Sequence, residues 1–191
     1  MLTNALVFLA STVLGLLTVA LLLRFYLQWA RAPYRNPLSE FLIALTDFMV
    51  RPARRVVPGL WGLDLATLAL AWLLQLAELF VVLELRGYQG SAQAGQLFAA
   101  LAVLALLMLA KLALYMVMAV VIAHALLTWI APASPLMPVL ASLARPFLRP
   151  FQRRVPPVGG VDLSPLFVVI AAQLLLMLPV AWLEAAVWSW L

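Results

Sequence analysis

Four long runs of apolar residues alternate with short polar stretches along this chain. The first starts at Leu2 and carries no formal charge before Arg24, with helix expected over about 2–29. The others cover about 64–85, 97–130 (with Lys111 inside it) and 163–188. A helix rises about 1.5 Å per residue, so each run is long enough to cross a hydrocarbon core of roughly 30 Å. The intervening stretches follow a different pattern. In the first, Leu38, Phe41, Leu42, Leu45, Phe48 and Met49 recur at helical spacing while Ser39, Glu40, Thr46 and Asp47 are expected to turn away. In the second, Leu136, Val139, Leu140, Leu143 and Phe147 keep the same spacing. Each predicts an amphipathic helix too short to span, stopping near Arg51-Pro52 or Arg149-Pro150, because proline disfavours helix at the residue before it.

Composition fixes the solvent. Of 191 residues, 67% are hydrophobic and 10% charged, with a mean hydropathy of +1.12, which describes an integral membrane protein. With no cysteine, the chain has no disulfide, thiolate nucleophile or Cys-ligated metal. Its net charge of +5 is carried by arginines that cluster between the spans. Arg24, Arg31, Arg35, Arg51, Arg54 and Arg55 lie at the end of the first span or before the second, and Arg145, Arg149, Arg153 and Arg154 lie between the third and fourth. The positive-inside rule then makes both linkers cytoplasmic and leaves both termini and the 86–96 turn outside, in the periplasm of a bacterium. The first run lacks a positive n-region and is expected to be retained rather than cleaved.

The linkers also resemble each other. At an offset of 98, Asn36-Pro37 meets Ser134-Pro135, Arg51-Pro52 meets Arg149-Pro150, and Arg55 and Pro58 meet Arg153 and Pro156. Gly62, Asp64 and Gln75 meet Gly160, Asp162 and Gln173, and with a two-residue gap Arg24 and Trp29 meet His124 and Trp129. The chain is expected to be a duplication, with units at 1–90 and 91–191. Each unit crosses twice, so the copies share an orientation as parallel repeats. The fold expected is therefore all-α: four transmembrane helices in two parallel repeats, each with a short amphipathic helix in its cytoplasmic linker. That helix is expected to lie flat with its arginines among anionic headgroups, the alternatives being a re-entrant half-helix lining a polar path and a protein-docking surface.

The stretch "RRVPPVGGVDLSP" concentrates the linker chemistry. Arg153 and Arg154, like Arg54 and Arg55, hold the membrane surface, while Pro156, Pro157, Gly159 and Gly160 turn the chain. Ser164 is expected as N-cap and Pro165 as first residue of the last span. Asp162 and Asp64 are expected to accept from free backbone N–H groups or to pair with the neighbouring arginines. The glycines match no phosphate-loop spacing, and no soluble domain is present to carry nucleic acid.

A repeated helix, Asn-Pro or Ser-Pro, apolar-periodic stretch, Arg-Pro, and a Gly-x-Asp-Leu-Ser-Pro opening a second helix resembles the YggT family of small bacterial membrane proteins, also found in plastids. The resemblance covers nearly the whole chain. The second copy, "RPFLRPFQRRVPPVGGVDLSP", carries the motif in full; the first, "VVPGLWGLDLAT", lacks the second proline, the paired glycines and the Ser-Pro. The resemblance implies a multipass inner-membrane protein without catalytic residues, associated with osmotic or ion stress tolerance in some bacteria and with membrane-complex biogenesis in plastid relatives.

Polar residues inside the spans are costly and therefore candidates for function. Glu78 and Lys111 are expected to pair and tie the repeats together, the alternatives being a snorkelling Lys111 and an ion pathway. Gln75 and Gln173 are expected to hydrogen-bond across the repeat interface. His124 has no second ligand nearby in sequence and reads as an interfacial residue; the tryptophans near helix ends read as an aromatic belt. No catalytic, cofactor or metal constellation emerges. The expected partners are anionic lipids at the linkers and another membrane protein or a second copy, with no nucleic acid. Two functions compete: a non-catalytic scaffold or assembly factor, and a small oligomeric channel or transporter whose polar residues line a path.

Overall fold

A computed structural model describes residues 1–33, 36–59, 62–88, 93–155 and 162–189. Among these every element is helical: α1 (Leu2–Trp29), α2 (Pro37–Val56), α3 (Leu65–Leu85), α4 (Ala94–Ile130), α5 (Met137–Gln152), α6 (Ser164–Leu175), and, after a π-helical turn at Leu176–Val180, α7 (Ala181–Trp188). Four helices are long and apolar enough to cross a membrane: α1, α3, α4 and the continuous rod Ser164–Trp188. Their large side chains face outward: Leu6, Phe8, Leu9, Leu16, Phe80, Leu106, Ile122, Leu174 and Met177 are all exposed. A surface of that kind suits a solvent of lipid tails. This is a membrane protein.

Local chemistry sets the helix ends. Asn36 caps α2, its Oδ1 accepting from the Ser39 N–H at 2.8 Å, and Pro37 occupies the first turn, where a missing N–H goes unnoticed. Asp64 caps α3 through the Thr67 N–H. The α3 helix ends in a Schellman turn on Gly87 at φ +67, with Gly87 N–H donating to Glu84 and Tyr88 N–H to Leu83. α1 ends in the same turn, Arg31 N–H donating to Gln28 and Ala32 N–H to Leu27, with Arg31 at φ +51 in the position glycine fills in α3.

The short helices do not stop at their prolines. α2 runs through Pro52, and α5 through Pro146 and Pro150. Proline removes one N–H to the carbonyl four residues back; all three prolines are exposed or lie on exposed turns, where water or headgroups can satisfy that carbonyl. Nor do Thr46 and Asp47 turn away. Thr46 is fully buried and Asp47 largely so, both against α1, while Phe41, Leu45 and Phe48 are the exposed side chains. The apolar side chains are divided between the core, with Leu42 and Val50, and the outside.

Packing forms two groups. α1, α2 and α3 contact one another, as do α4, α5 and the α6–α7 rod, and α3 packs on α4 to join them. Fully buried alanines at 66, 71, 100 and 105 let helix backbones approach closely, the means by which helices associate where lipid removes the hydrophobic drive. Leu21, Leu22, Val50, Ala71 and Leu109 form one core cluster, and Leu79, Leu101, Leu104 and Val187 belong to another. A third cluster brings the end of α1 (Tyr26, Leu27) against α5 (Val139, Leu143), where the Tyr26 hydroxyl donates to the Leu143 carbonyl at 2.6 Å.

Candidate functional site

The polar side chains gather in three places. The first lies where α1, α2 and α3 meet. From α1, Arg24 donates to the Thr46 hydroxyl at 2.8 Å and to Asp47 at 2.9 Å, while Arg51, one turn along α2, reaches the other Asp47 oxygen at 2.7 Å. Burial alone would raise the Asp47 carboxyl, but the two guanidinium groups hold it below its ordinary range. Arg54 donates to Asp64, which also accepts from the Thr67 hydroxyl and N–H. Burial again pushes upward, and these donors outweigh it, so the Asp64 carboxyl stays low. Gln28 donates to the carbonyl of Gly62, whose φ of +79 makes the bend before the cap. Arg55 and Pro58 lie exposed where α2 ends.

The second place lies among α4, α5 and α6. Ser134 accepts from the Leu136 N–H, with exposed Pro135 between them. Asp162 accepts from Gln152 and from the Ser164 N–H, each at 2.8 Å, and not from Arg153 or Arg154, which lie exposed beyond α5 with Arg149 on its last turn. Burial would raise the Asp162 carboxyl, but these hydrogen bonds bring it below its ordinary range. Ser164 is the first residue of α6 rather than its cap, and Pro165 is the second. Asp162 has taken over the capping contact, and the buried Ser164 hydroxyl and His124 Nδ1 have no hydrogen-bond partner among the described residues. Pro156, Pro157, Gly159 and Gly160 lie outside the described residues.

The third place is inside the spans. Lys111 does not pair with Glu78: its Nζ lies 2.6 Å from Glu184 of α7. Glu78 instead accepts from Gln75 at 3.1 Å, one turn earlier on α3. Gln75, Glu78, Lys111 and Tyr115 line a shared cavity of about 320 Å³. Gln173 does not meet Gln75 across an interface; it is exposed on α6. Sequence reasoning missed Glu184, although it is the single charged residue of the last span, and charges in hydrocarbon seek a counterion. Among the described residues no group of His, Asp and Glu could hold a metal ion.

The sequence profile of the CCB3/YggT family matches the chain in two segments, 3–85 and 103–183. The chain belongs to the CCB3/YggT family. Its relatives include the YggT protein of Escherichia coli K12, named uncharacterized, 34% identical over 87% of this chain and 85% of its own length. An uncharacterized protein of Pseudomonas aeruginosa is 36% identical over 93% of this chain and 89% of its own. No solved structure matches this CCB3/YggT chain.

Proposed function

We propose that the protein is a non-catalytic scaffold or assembly factor of the bacterial inner membrane, built from two parallel repeats whose amphipathic α2 and α5 lie in the cytoplasmic headgroup layer. The observation that carries this is the outer surface of α2. Phe41 and Phe48 are 62% and 68% exposed, Phe48 lies against the exposed Arg51, and Arg55 follows one turn on, apolar surface for acyl tails bordered by cations for anionic headgroups. The two-segment family match supports the duplication. A role in osmotic or ion stress tolerance, or in envelope organisation, rests on the YggT resemblance. Exposed Gln173 supports a further contact: an amide in hydrocarbon gains most from a partner amide, so a second copy or another membrane protein is expected to cover it.

The intramembrane cavity at Gln75, Glu78 and Lys111 favours the second reading, an oligomeric channel or transporter. Flux through purified protein in liposomes separates the two. Selective ion movement abolished by Glu78→Gln would establish the channel; no flux, with crosslinking through Gln173→Cys capturing one stoichiometric partner, would establish the scaffold. Sidedness is tested by Gly90→Cys in this cysteine-free chain, expected to label from the periplasm.

A further inference from the structure

The end of α1, both ends of α2 and the Gly62–Asp64 bend line an open cavity of about 620 Å³, the size of a small-ligand site. Three guanidinium groups, Arg24, Arg31 and Arg54, line it against one carboxylate, Asp64. Arg24 is committed to Thr46 and Asp47, and Arg54 to Asp64. The Arg31 guanidinium has no hydrogen bond or ion pair among the described residues, so the cavity holds an excess of positive charge with one fork of five donors unspent.

The backbone at Arg31 is the independent observation. It occupies the left-handed position of a Schellman turn at φ +51, the position where α3 uses Gly87 at φ +67. A side chain is strained there, and strain retained at one residue beside a cavity is a mark of a functional position. Leu27, Leu42, Ile43 and Leu63 give the rest of the wall an apolar side, interrupted by Gln28 and Ser39, which suits an amphiphile better than a free ion. At the repeat offset, Arg24 and Arg54 meet His124 and Gln152, so this accumulation of guanidinium groups belongs to the first unit.

We propose that this cavity binds a phosphate-bearing anion, the headgroup phosphate of an anionic lipid, with Arg31 as its principal ligand. The proposal rests on the reading that α2 lies in a headgroup layer. Free phosphate shares the same chemistry, and the experiment separates the two sources. Full-length protein is reconstituted in phosphatidylcholine bilayers doped with phosphatidic acid, and retained lipid is counted by native mass spectrometry; a parallel arm titrates detergent-solubilised protein with inorganic phosphate. Arg31→Gly is the informative variant because glycine is the natural residue of this turn, so the fold is kept while the charge is lost. The expected result is an unchanged or raised Tm with about tenfold weaker phosphatidic acid retention, the loss of one charge-assisted contact. Arg31→Lys, a point charge without the fork, is expected to fall between.

Wild-type retention of phosphatidic acid by Arg31→Gly overturns the site. In that event the headgroup-layer reading still stands if Arg55→Gln and Arg149→Gln lower phosphatidic acid retention in the same bilayers, and falls with the site if they do not. Saturable inorganic phosphate binding, lost in Arg31→Gly, without lipid retention overturns the lipid assignment.

Discussion

Asp64 serves two helices with one carboxylate: it caps α3 through Thr67 and anchors α2 through Arg54. Asp64→Ala removes a cap and the carboxylate that Arg54 and Thr67 share, and is expected to lower stability by about 2 kcal/mol, read as a Tm shift in detergent. Asp64, Asp47 and Asp162 are all held below the ordinary value of 3.8. A carboxylate with a depressed folded-state pKa stabilises above its unfolded value and loses that contribution as pH falls through the folded one. These three carboxylates should therefore add no slope to Tm between neutrality and about pH 5 and a drop below about 4, and Asp64→Asn should flatten that drop. Asp64 was legible as a cap because an aspartate directly precedes an apolar run. Thr46 and Asp47 were not, because periodicity sorts one helix into faces without knowing that Arg24 of another helix waits against the polar one.

Among elements, the spans were the most legible, since an uncharged apolar run of sufficient length has few other fates; α1 covers the residues expected of it. The proline-bearing helices were misread at their ends, because an exposed carbonyl tolerates a lost donor that a buried one does not. The last span carries a feature with no sequence signature beyond Pro179, its π-helical turn. A π turn spends one extra residue and so rotates everything after it by about 100° relative to a plain helix. That rotation brings Glu184 onto Lys111. Deleting Met177 should remove the extra residue and leave a plain helix with Glu184 still on Lys111, whereas inserting one alanine after Val180 should rotate Glu184 by about 100° off the α4 face and destabilise by roughly 2 kcal/mol, the scale for a charge left in a spanning helix. Lys111→Met in the insertion background should recover most of the lost Tm; no recovery would mean that the turn serves packing alone.

For the whole molecule, the two stretches that match in sequence at an offset of 98 differ in what they contact. The tip of α1 reaches across to α5 through Tyr26, and the arginines gathered beside α2 have His124 and Gln152 as their counterparts. Tertiary pairing of the spans was the least legible level, since Glu78 and Glu184 are equally plausible partners for Lys111 until helix rotation is known. The partner found lies 73 residues further along the chain. A ribosome delivers α4 to the bilayer well before the rod that bears Glu184, so for that interval an ammonium group stands in hydrocarbon without its counterion. The ion pair thus reports on completion of the polypeptide. Chains ending after Gln152 should be cleared by membrane proteases faster than the same chains carrying Lys111→Met, measured by pulse-chase, and equal half-lives would show that the cell does not read this charge.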